Sequence, residues 1–336
     1  MPAATELVYT AVPAEEEEAQ PDAFGEVVER LSRQSVTKHF EAYVDVPWDD
    51  AEFGIDPADP RWELSPDDAL GGTAWYRALP PADRARLGLD SVASKMKIGL
   101  EFESVLKRGL LEFATTLPNG SPEFRYAYHE VIEEAHHSLM FQEFVNRSGF
   151  DARGLSRVDQ AAARFIVSLG RRFPPLFFVF VLGGEDPIDY VQRRELRSSR
   201  TIHPLLERVM RIHVTEEARH LSFARHYLKR TVPTLGPVRR AELAIGAPLV
   251  LATMAQMMLR PSRQLVRRYS IPDAVINEAF TDNPQHRAEA LASMAKLRRL
   301  WTGLGLTSGP YRVLWKKLGL WSDDAVDDVA PVSPAS

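Results

Sequence analysis

Two short stretches of the sequence repeat one pattern of acids and histidines. Residues 133–137 read Glu-Glu-Ala-His-His, and residues 216–220 read Glu-Glu-Ala-Arg-His. An acid and a histidine three residues apart lie on the same side of an α-helix, about one turn apart. Such a pair can give a carboxylate and an imidazole to one metal centre. The shared Glu-Glu-Ala-x-His frame fixes the register and selects two pairs: Glu134 with His137, and Glu217 with His220.

The selected pairs lie on apolar helix faces. Glu134 and His137 share a side of their predicted helix with Phe124, Ala127, Val131, Phe141 and Val145, and the second pair has similar neighbours. The overlapping pair Glu133/His136 is excluded by the register, and His136 points towards charged residues. An isolated buried carboxylate costs several kcal/mol, so it must be paired, protonated or bound to a metal. A shared metal centre accounts for all these groups together.

Two Glu-x-x-His motifs predict a second half of the site, with one glutamate from each of two further helices. On the first of these helices we favour Glu103 over Glu101, because Glu103 shares its face with apolar residues. On the other we favour Glu185; Pro187 is expected to kink that helix, so Asp189 stays open as an alternative. The intervals from each glutamate to the following motif are 31 and 32 residues, which predicts two helix hairpins related by a pseudo-twofold axis.

A further histidine, His213, lies four residues before Glu217 and therefore on the same helix face. It would give one metal an additional imidazole, which simple ferritin-like sites do not have. The remaining four glutamates and two histidines are the ligand set of a carboxylate-bridged di-iron or di-manganese centre. Hard oxygen ligands combined with imidazole suit iron, with manganese as the alternative. The predicted metal ligands are Glu103, Glu134, His137, Glu185, His213, Glu217 and His220.

This pattern resembles the AurF-like family of di-iron arylamine N-oxygenases. The family includes the p-aminobenzoate N-oxygenase of aureothin biosynthesis and the arylamine N-oxygenase of the chloramphenicol pathway. The resemblance covers roughly residues 85–230, and the seven candidate ligands can be carried over one by one. The additional histidine at position 213 is what favours this family over other ferritin-like proteins.

The resemblance implies an oxygenase with two iron ions that binds O2 as a co-substrate and forms a peroxo-di-iron(III) species. An aromatic amine would be oxidised through hydroxylamine and nitroso stages to a nitro product in antibiotic biosynthesis. Electrons would come from an external donor, since no flavin or nicotinamide motif is visible, and the family suggests a homodimer. Two other functions stay open. One is a different di-metal oxidation, such as C–H hydroxylation, desaturation or radical generation at Tyr128 or Tyr227; the other is non-catalytic iron binding.

The elements that would position these residues are helical. Apolar periodicity from about 83 to 320 predicts four principal helices at roughly 88–116, 122–147, 174–200 and 204–231, and further helices at 235–260, 284–302 and 309–319. A short helix is predicted from Glu26 to Phe40. Residues 41–80, rich in Pro, Asp and Trp, are expected to form an ordered wrapping segment. The predicted fold is all-α, a ferritin-like four-helix bundle with additional helices and an N-terminal wrapping segment.

Composition narrows the class of protein further. The chain has 336 residues and a formal charge of −5, which argues against a protein that coats nucleic acid. It has no cysteine, so any metal must be held by His, Asp and Glu. We expect one domain at 26–320, flanked by a disordered acidic tail at 1–25 and a disordered tail at 321–336. No secretory signal or membrane-spanning run is visible, so the expected location is cytoplasmic, without a membrane partner.

Overall fold

The computed structural model describes residues 23–258 and 260–321, and every regular element in those ranges is a helix. The α-helices are α1 (Ala23–Thr37), α2 (Ala74–Arg77), α3 (Pro81–Ala114), α4 (Pro122–Ser148), α5 (Arg157–Arg172), α6 (Pro174–Arg197), α7 (Pro204–Thr231), α8 (Pro237–Met258), α9 (Arg263–Arg268), α10 (Asp273–Ile276), α11 (Pro284–Ser293), α12 (Ala295–Gly303) and α13 (Pro310–Lys317). The tails predicted at the two ends lie mostly outside the described residues. Residues 23–25, predicted as tail, instead form the first turn of α1.

Four long helices form the bundle. Helix α3 packs along α4, and α6 packs along α7; the two hairpins meet where α3 contacts α6 and α4 contacts α7. Each of the four begins with a proline in its first turn, where the missing N–H has no helical partner to lose. The predicted all-α, ferritin-like four-helix bundle with additional helices is confirmed. No helix in the described part of the chain is long and apolar enough to cross a membrane.

Helix α5 was not predicted from the sequence. It begins with a capping box in which the Ser156 hydroxyl accepts from the Asp159 N–H and the Asp159 carboxylate accepts from the Ser156 N–H. Its apolar residues do not all face inward, because Val158 and Phe165 are exposed. Ala163, Leu169 and Gly170 nevertheless form a buried face, so the helix is amphipathic, and it is held by its cap and by contacts with α3 and α6.

Several helix boundaries and one proline also differ from expectation, and the helix predicted at 284–302 is divided into α11 and α12. Helix α3 begins at Pro81, seven residues before the predicted start, and α6 ends at Arg197 rather than at residue 200. Helix α6 runs through Pro187, which loses one backbone hydrogen bond without ending the helix. Before the proline, Gly183 lies against Leu251 of α8, and after it Arg194 pairs with Glu289 of α11, so tertiary packing supports the helix on both sides of the proline.

The N-terminal wrapping segment, residues 41–80, is ordered and closes over one end of the bundle. Trp48 and Trp62 are buried, and short helical turns occur at Ala51–Phe53 and Pro60–Trp62. The Trp62 ring stacks on the ring of His203 at 4.2 Å between centroids. Since His203 caps the N-terminus of α7, the segment fixes the start of a helix that carries candidate ligands.

Candidate metal centre

The seven predicted ligands, contributed by all four bundle helices, lie side by side in the core. Each is at most 3% exposed. Their oxygen and nitrogen atoms form three overlapping groups in which the atoms lie within 4.8 Å of one another. The groups are Glu103, His137 and His213; Glu134, Glu217 and His220; and Glu185, His213 and Glu217. The fold brings all seven predicted ligands together. That they bind metal stays a prediction.

The alternatives from the sequence lie elsewhere. Glu101 accepts a hydrogen bond from the Leu155 N–H at 2.7 Å and so holds the loop before α5. Asp189 forms an ion pair with Arg193 at 2.6 Å and faces Lys296 at 3.6 Å. Neither carboxylate belongs to the three groups of potential ligand atoms found among the described residues.

The two motif histidines direct the same ring nitrogen into the cluster. His137 Nδ1 lies 3.4 Å from Glu217 Oε1 and 3.6 Å from Glu134 Oε2. His220 Nδ1 lies 3.1 Å from Glu134 Oε1 and 3.2 Å from Glu217 Oε1. Each histidine therefore faces the motif glutamate of its own helix and the motif glutamate of the other helix. This is the arrangement expected around shared ions.

The outer nitrogens of these histidines are held by two buried acids that the sequence reasoning did not assign. His137 Nε2 donates to Glu216 Oε2 at 2.8 Å, and His220 Nε2 donates to Glu133 Oε2 at 2.8 Å. Arg219 bridges both acids, at 2.8 Å from Glu133 and 3.4 Å from Glu216. Each acid is the first residue of a Glu-Glu-Ala-x-His frame and braces the histidine of the other frame. A glutamate occupies the first position of both frames, and this repetition was the sequence signal that could have identified Glu133 and Glu216.

The additional histidine presents its other nitrogen. His213 Nδ1 lies 3.0 Å from Gln192 Oε1, so that nitrogen is engaged outside the cluster. Its Nε2 lies 3.8 Å from Glu217 and 3.9 Å from both Glu103 and Glu185. Burial lowers the pKa of His213 to about 4, despite the nearby Glu217 carboxylate, so the ring is a neutral donor at physiological pH.

Glu103 is positioned by a short polar chain. The Ser138 hydroxyl donates to Glu103 Oε2 at 2.7 Å. The Lys107 ammonium donates to that serine and, at 2.9 Å, to the backbone carbonyl of Glu134. This chain links α3 to α4 beside the cluster and leaves the other oxygen of Glu103 free to bind.

The donor atoms themselves fit a pair of metal ions. Among the described residues, several buried polar atoms of the cluster have no hydrogen bond: Glu103 Oε1, both carboxylate oxygens of Glu134, Glu217 Oε2 and His137 Nδ1. Leaving such atoms unpaired in the core is costly, so native proteins almost always satisfy them. Carboxylates and imidazoles without thiolates suit iron or manganese. The residues present therefore fit a di-metal centre.

Without metal, protons take part of the role of the ions. Burial, reinforced by Glu134, raises the pKa of Glu103 well above its usual value, and burial with Glu217 does the same for Glu185. Burial would raise the pKa of Glu217, but His220 and His137 outweigh it and hold that pKa well below normal. Burial would lower the pKa of His220, yet the surrounding carboxylates raise it. The cluster is thus an internally neutralised set of ionisable groups.

Comparison with known proteins agrees with this site. A four-helix bundle with paired Glu-x-x-His motifs defines a ferritin-like protein of the di-metal carboxylate type. The model of the p-aminobenzoate N-oxygenase AurF family matches residues 22–305, so the chain belongs to this family of di-iron N-oxygenases, as its sequence pattern indicated.

The similar curated proteins are mycobacterial. Uncharacterized proteins of Mycobacterium tuberculosis and Mycobacterium bovis are each 38% identical to this chain over 291 residues, which is 87% of this chain and 86% of the relative. No solved structure matches the chain. The names of these relatives state no function, so the function of this chain is inferred from its family and from the geometry of the site.

Proposed function

We propose that this protein is a non-haem di-iron oxygenase that uses O2 to oxidise an aromatic amine to its hydroxylamine, nitroso and nitro products. The observation that carries the proposal is the buried cluster of seven donors, including His213, in a chain that belongs to the AurF family. The proposed ligands are Glu103, Glu134, His137, Glu185, His213, Glu217 and His220. The two iron ions, or manganese in their place, supply activation of O2 when bound.

The chain's own residues prepare the site for this chemistry. The bundle excludes bulk water, because each proposed ligand is buried. Glu133 and Glu216 keep the motif histidines in the tautomer that leaves Nδ1 free. Gln192 holds His213 in the orientation that directs Nε2 inward. These contacts support a metal centre that is preorganised before the ions bind.

The electron donor, the pathway, the cellular location and the oligomeric state are also proposals. We propose an external electron donor and a place in antibiotic or other secondary-metabolite biosynthesis. We further propose a cytoplasmic homodimer, for which exposed apolar side chains along α4 offer a surface: Phe124, Tyr128, Ile132 and Leu139. Sedimentation equilibrium of the purified chain would test the dimer.

A single-turnover experiment tests the activity. The protein is loaded anaerobically with ferrous iron and mixed with isotopically labelled O2 and p-aminobenzoate or another aromatic amine, and the products are identified by mass spectrometry. We expect label on the amine nitrogen. Glu103→Gln should lose bound iron and product, whereas Glu101→Gln, altered two residues away on the same helix, should retain both, because Glu101 binds Leu155 and not the cluster.

Each other outcome identifies a different function. Label on carbon, or loss of hydrogen from the substrate, would replace the proposal with a di-iron hydroxylase or desaturase. Tight binding of two irons without substrate oxidation would indicate an iron-binding protein. Failure to bind iron would overturn the assignment of the site itself.

A further inference from the structure

Among the residues that the structure describes, one buried acid on a ligand-bearing helix makes no hydrogen bond. Glu130 lies on α4, one helical turn before Glu134, and only 1% of it is exposed. Within residues 23–258 and 260–321, neither of its carboxylate oxygens has a hydrogen bond. A carboxyl group left in this state loses its hydration without compensation, so a buried acid with two free oxygens must be protonated or bind a cation.

The internal repeat assigns this acid an equivalent in the other half. The aligned frames place Glu134 opposite Glu217 and His137 opposite His220. Four residues before each aligned glutamate stand Glu130 on α4 and His213 on α7. Both halves therefore carry a donor one turn before the motif: His213-x-x-x-Glu-x-x-His in one and Glu130-x-x-x-Glu-x-x-His in the other.

The surroundings of the two donors obey the same symmetry. The His213 ring lies 4.8 Å from the ring of His137, the histidine of the opposite frame. Among the charges that act on Glu130, the strongest is that of His220, again the histidine of the opposite frame, followed by those of Glu134 and Glu217. Among the described residues, the Glu130 oxygens lie outside the three groups of close donor atoms, so this side chain must turn towards the cluster to reach an ion.

No side chain in the described part of the chain donates a hydrogen bond to Glu130. The next inward residue one turn earlier on α4 is Tyr126, whose hydroxyl is also buried and makes no hydrogen bond in the described structure. The buried acids Glu133 and Glu216, by contrast, are each bonded to a histidine and to Arg219. Glu130 is therefore distinct from the acids that brace the site.

We propose that Glu130 is an eighth protein ligand of the metal centre, giving a carboxylate oxygen to the ion that His220 binds. The proposal rests on the proposed di-metal function. It predicts one additional carboxylate donor at one ion and one additional imidazole donor, His213, in the other half. The two ions would then differ in ligand type, which favours different affinities for the two positions.

Cobalt titration of the whole chain tests the assignment, because cobalt(II) reports its ligands through visible absorption. The variant Glu130→Gln keeps the side-chain volume and removes the anionic donor. We expect the affinity of one of two cobalt ions to fall at least about tenfold, the scale seen when support of a metal site is removed. The visible spectrum of that ion should also change. The matched control is Glu123→Gln, two turns earlier on α4, where the carboxylate pairs with Arg230.

A second variant keeps the test decisive. Glu130→His reproduces the pattern of the other half, so we expect two ions to bind and the cobalt spectrum to shift as imidazole replaces carboxylate. Circular dichroism verifies that each variant is folded; if Glu130→Gln does not fold, the spectrum of Glu130→His decides. A cobalt spectrum and affinities equal to wild type in the folded variants would overturn the proposal. Failure of the unaltered chain to bind two ions would instead overturn the proposed function.

Discussion

The Glu-Glu-Ala-x-His frame assigns a separate task to each of its polar residues. The second glutamate and the histidine face the cluster, while the first glutamate crosses to the histidine of the opposite frame. Burial raises the pKa of Glu133, but hydrogen bonds and charge from His220 and Arg219 lower it to about 2. The brace is therefore a carboxylate at any pH at which the protein functions, and it makes the histidine a stronger donor.

Removing one brace should weaken one ion selectively. We expect Glu133→Gln to lower metal affinity by about 10- to 100-fold, because the neutral amide polarises His220 less than a carboxylate does. Glu216→Gln should have an effect of similar size through His137. Affinities can be measured by competition with a chelator. Glu143→Gln, whose acid pairs with Arg147 on α4 away from the cluster, serves as the control. Equal affinities in all three variants and the unaltered chain would show that the braces do not support the metal.

The sequence was sufficient to find the residues that gather in the cluster, but not those that hold them. A helical face is a property of one helix, so the inward position of Glu103 or Glu185 follows from its own neighbours in sequence. The contact of Glu133 with His220 joins α4 to α7 and depends on the distance and rotation between two helices. That information is absent from the periodicity of either helix alone.

At the scale of elements, the four bundle helices were predicted, whereas α5 and the shorter helices α2, α9 and α10 were not. The bundle helices are long, at 34, 27, 24 and 28 residues, and each begins with proline, so their existence follows from the sequence. Helix α5 has exposed apolar residues and depends on a close approach to α3: a Cβ on Gly170 would lie 2.0 Å from the carbonyl oxygen of Gly109. Ser156 and Asp159 at the capping-box spacing were the one local signal of its start.

This close approach gives a test of how α5 is held. We expect Gly170→Ala to lower the free energy of unfolding by about 1–3 kcal/mol, because the added methyl meets backbone that cannot move aside. Urea unfolding followed by circular dichroism measures the change. Gly303→Ala, at the end of α12, is the control, since a Cβ there meets nothing within 4 Å. A Gly170→Ala chain as stable as the unaltered one would contradict the described packing of α5 on α3.

At the scale of the whole molecule, the bundle must keep a dense set of acids in its core both with and without metal. Metal-free, the pKa of Glu103 and that of Glu185 are raised, mainly by burial, so these acids stay neutral. Burial alone would lower the pKa values of His137 and His220. Nearby carboxylates favour the imidazolium form more strongly, so both pKa values are raised well above normal. Two ions that bind these same atoms must displace the protons, so folding, protonation and metal loading are linked.

We therefore expect metal loading to release protons and to strengthen as pH rises. Glu103, Glu185, His137 and His220 lose their protons, so about four protons should leave per pair of ions near neutral pH. A fifth should leave if Glu130, whose pKa burial raises to about 8, also binds an ion. A raised pKa keeps the histidines protonated above pH 6.5, so protons compete with metal in that range and affinity falls as pH falls. Calorimetry in buffers of different ionisation enthalpy counts the protons. His220→Ala should reduce the number of protons released. His213→Ala should weaken metal binding but leave the number of protons released unchanged, because the pKa of His213 is already lowered to about 4. A count near zero in the unaltered chain would mean that metal binds elsewhere.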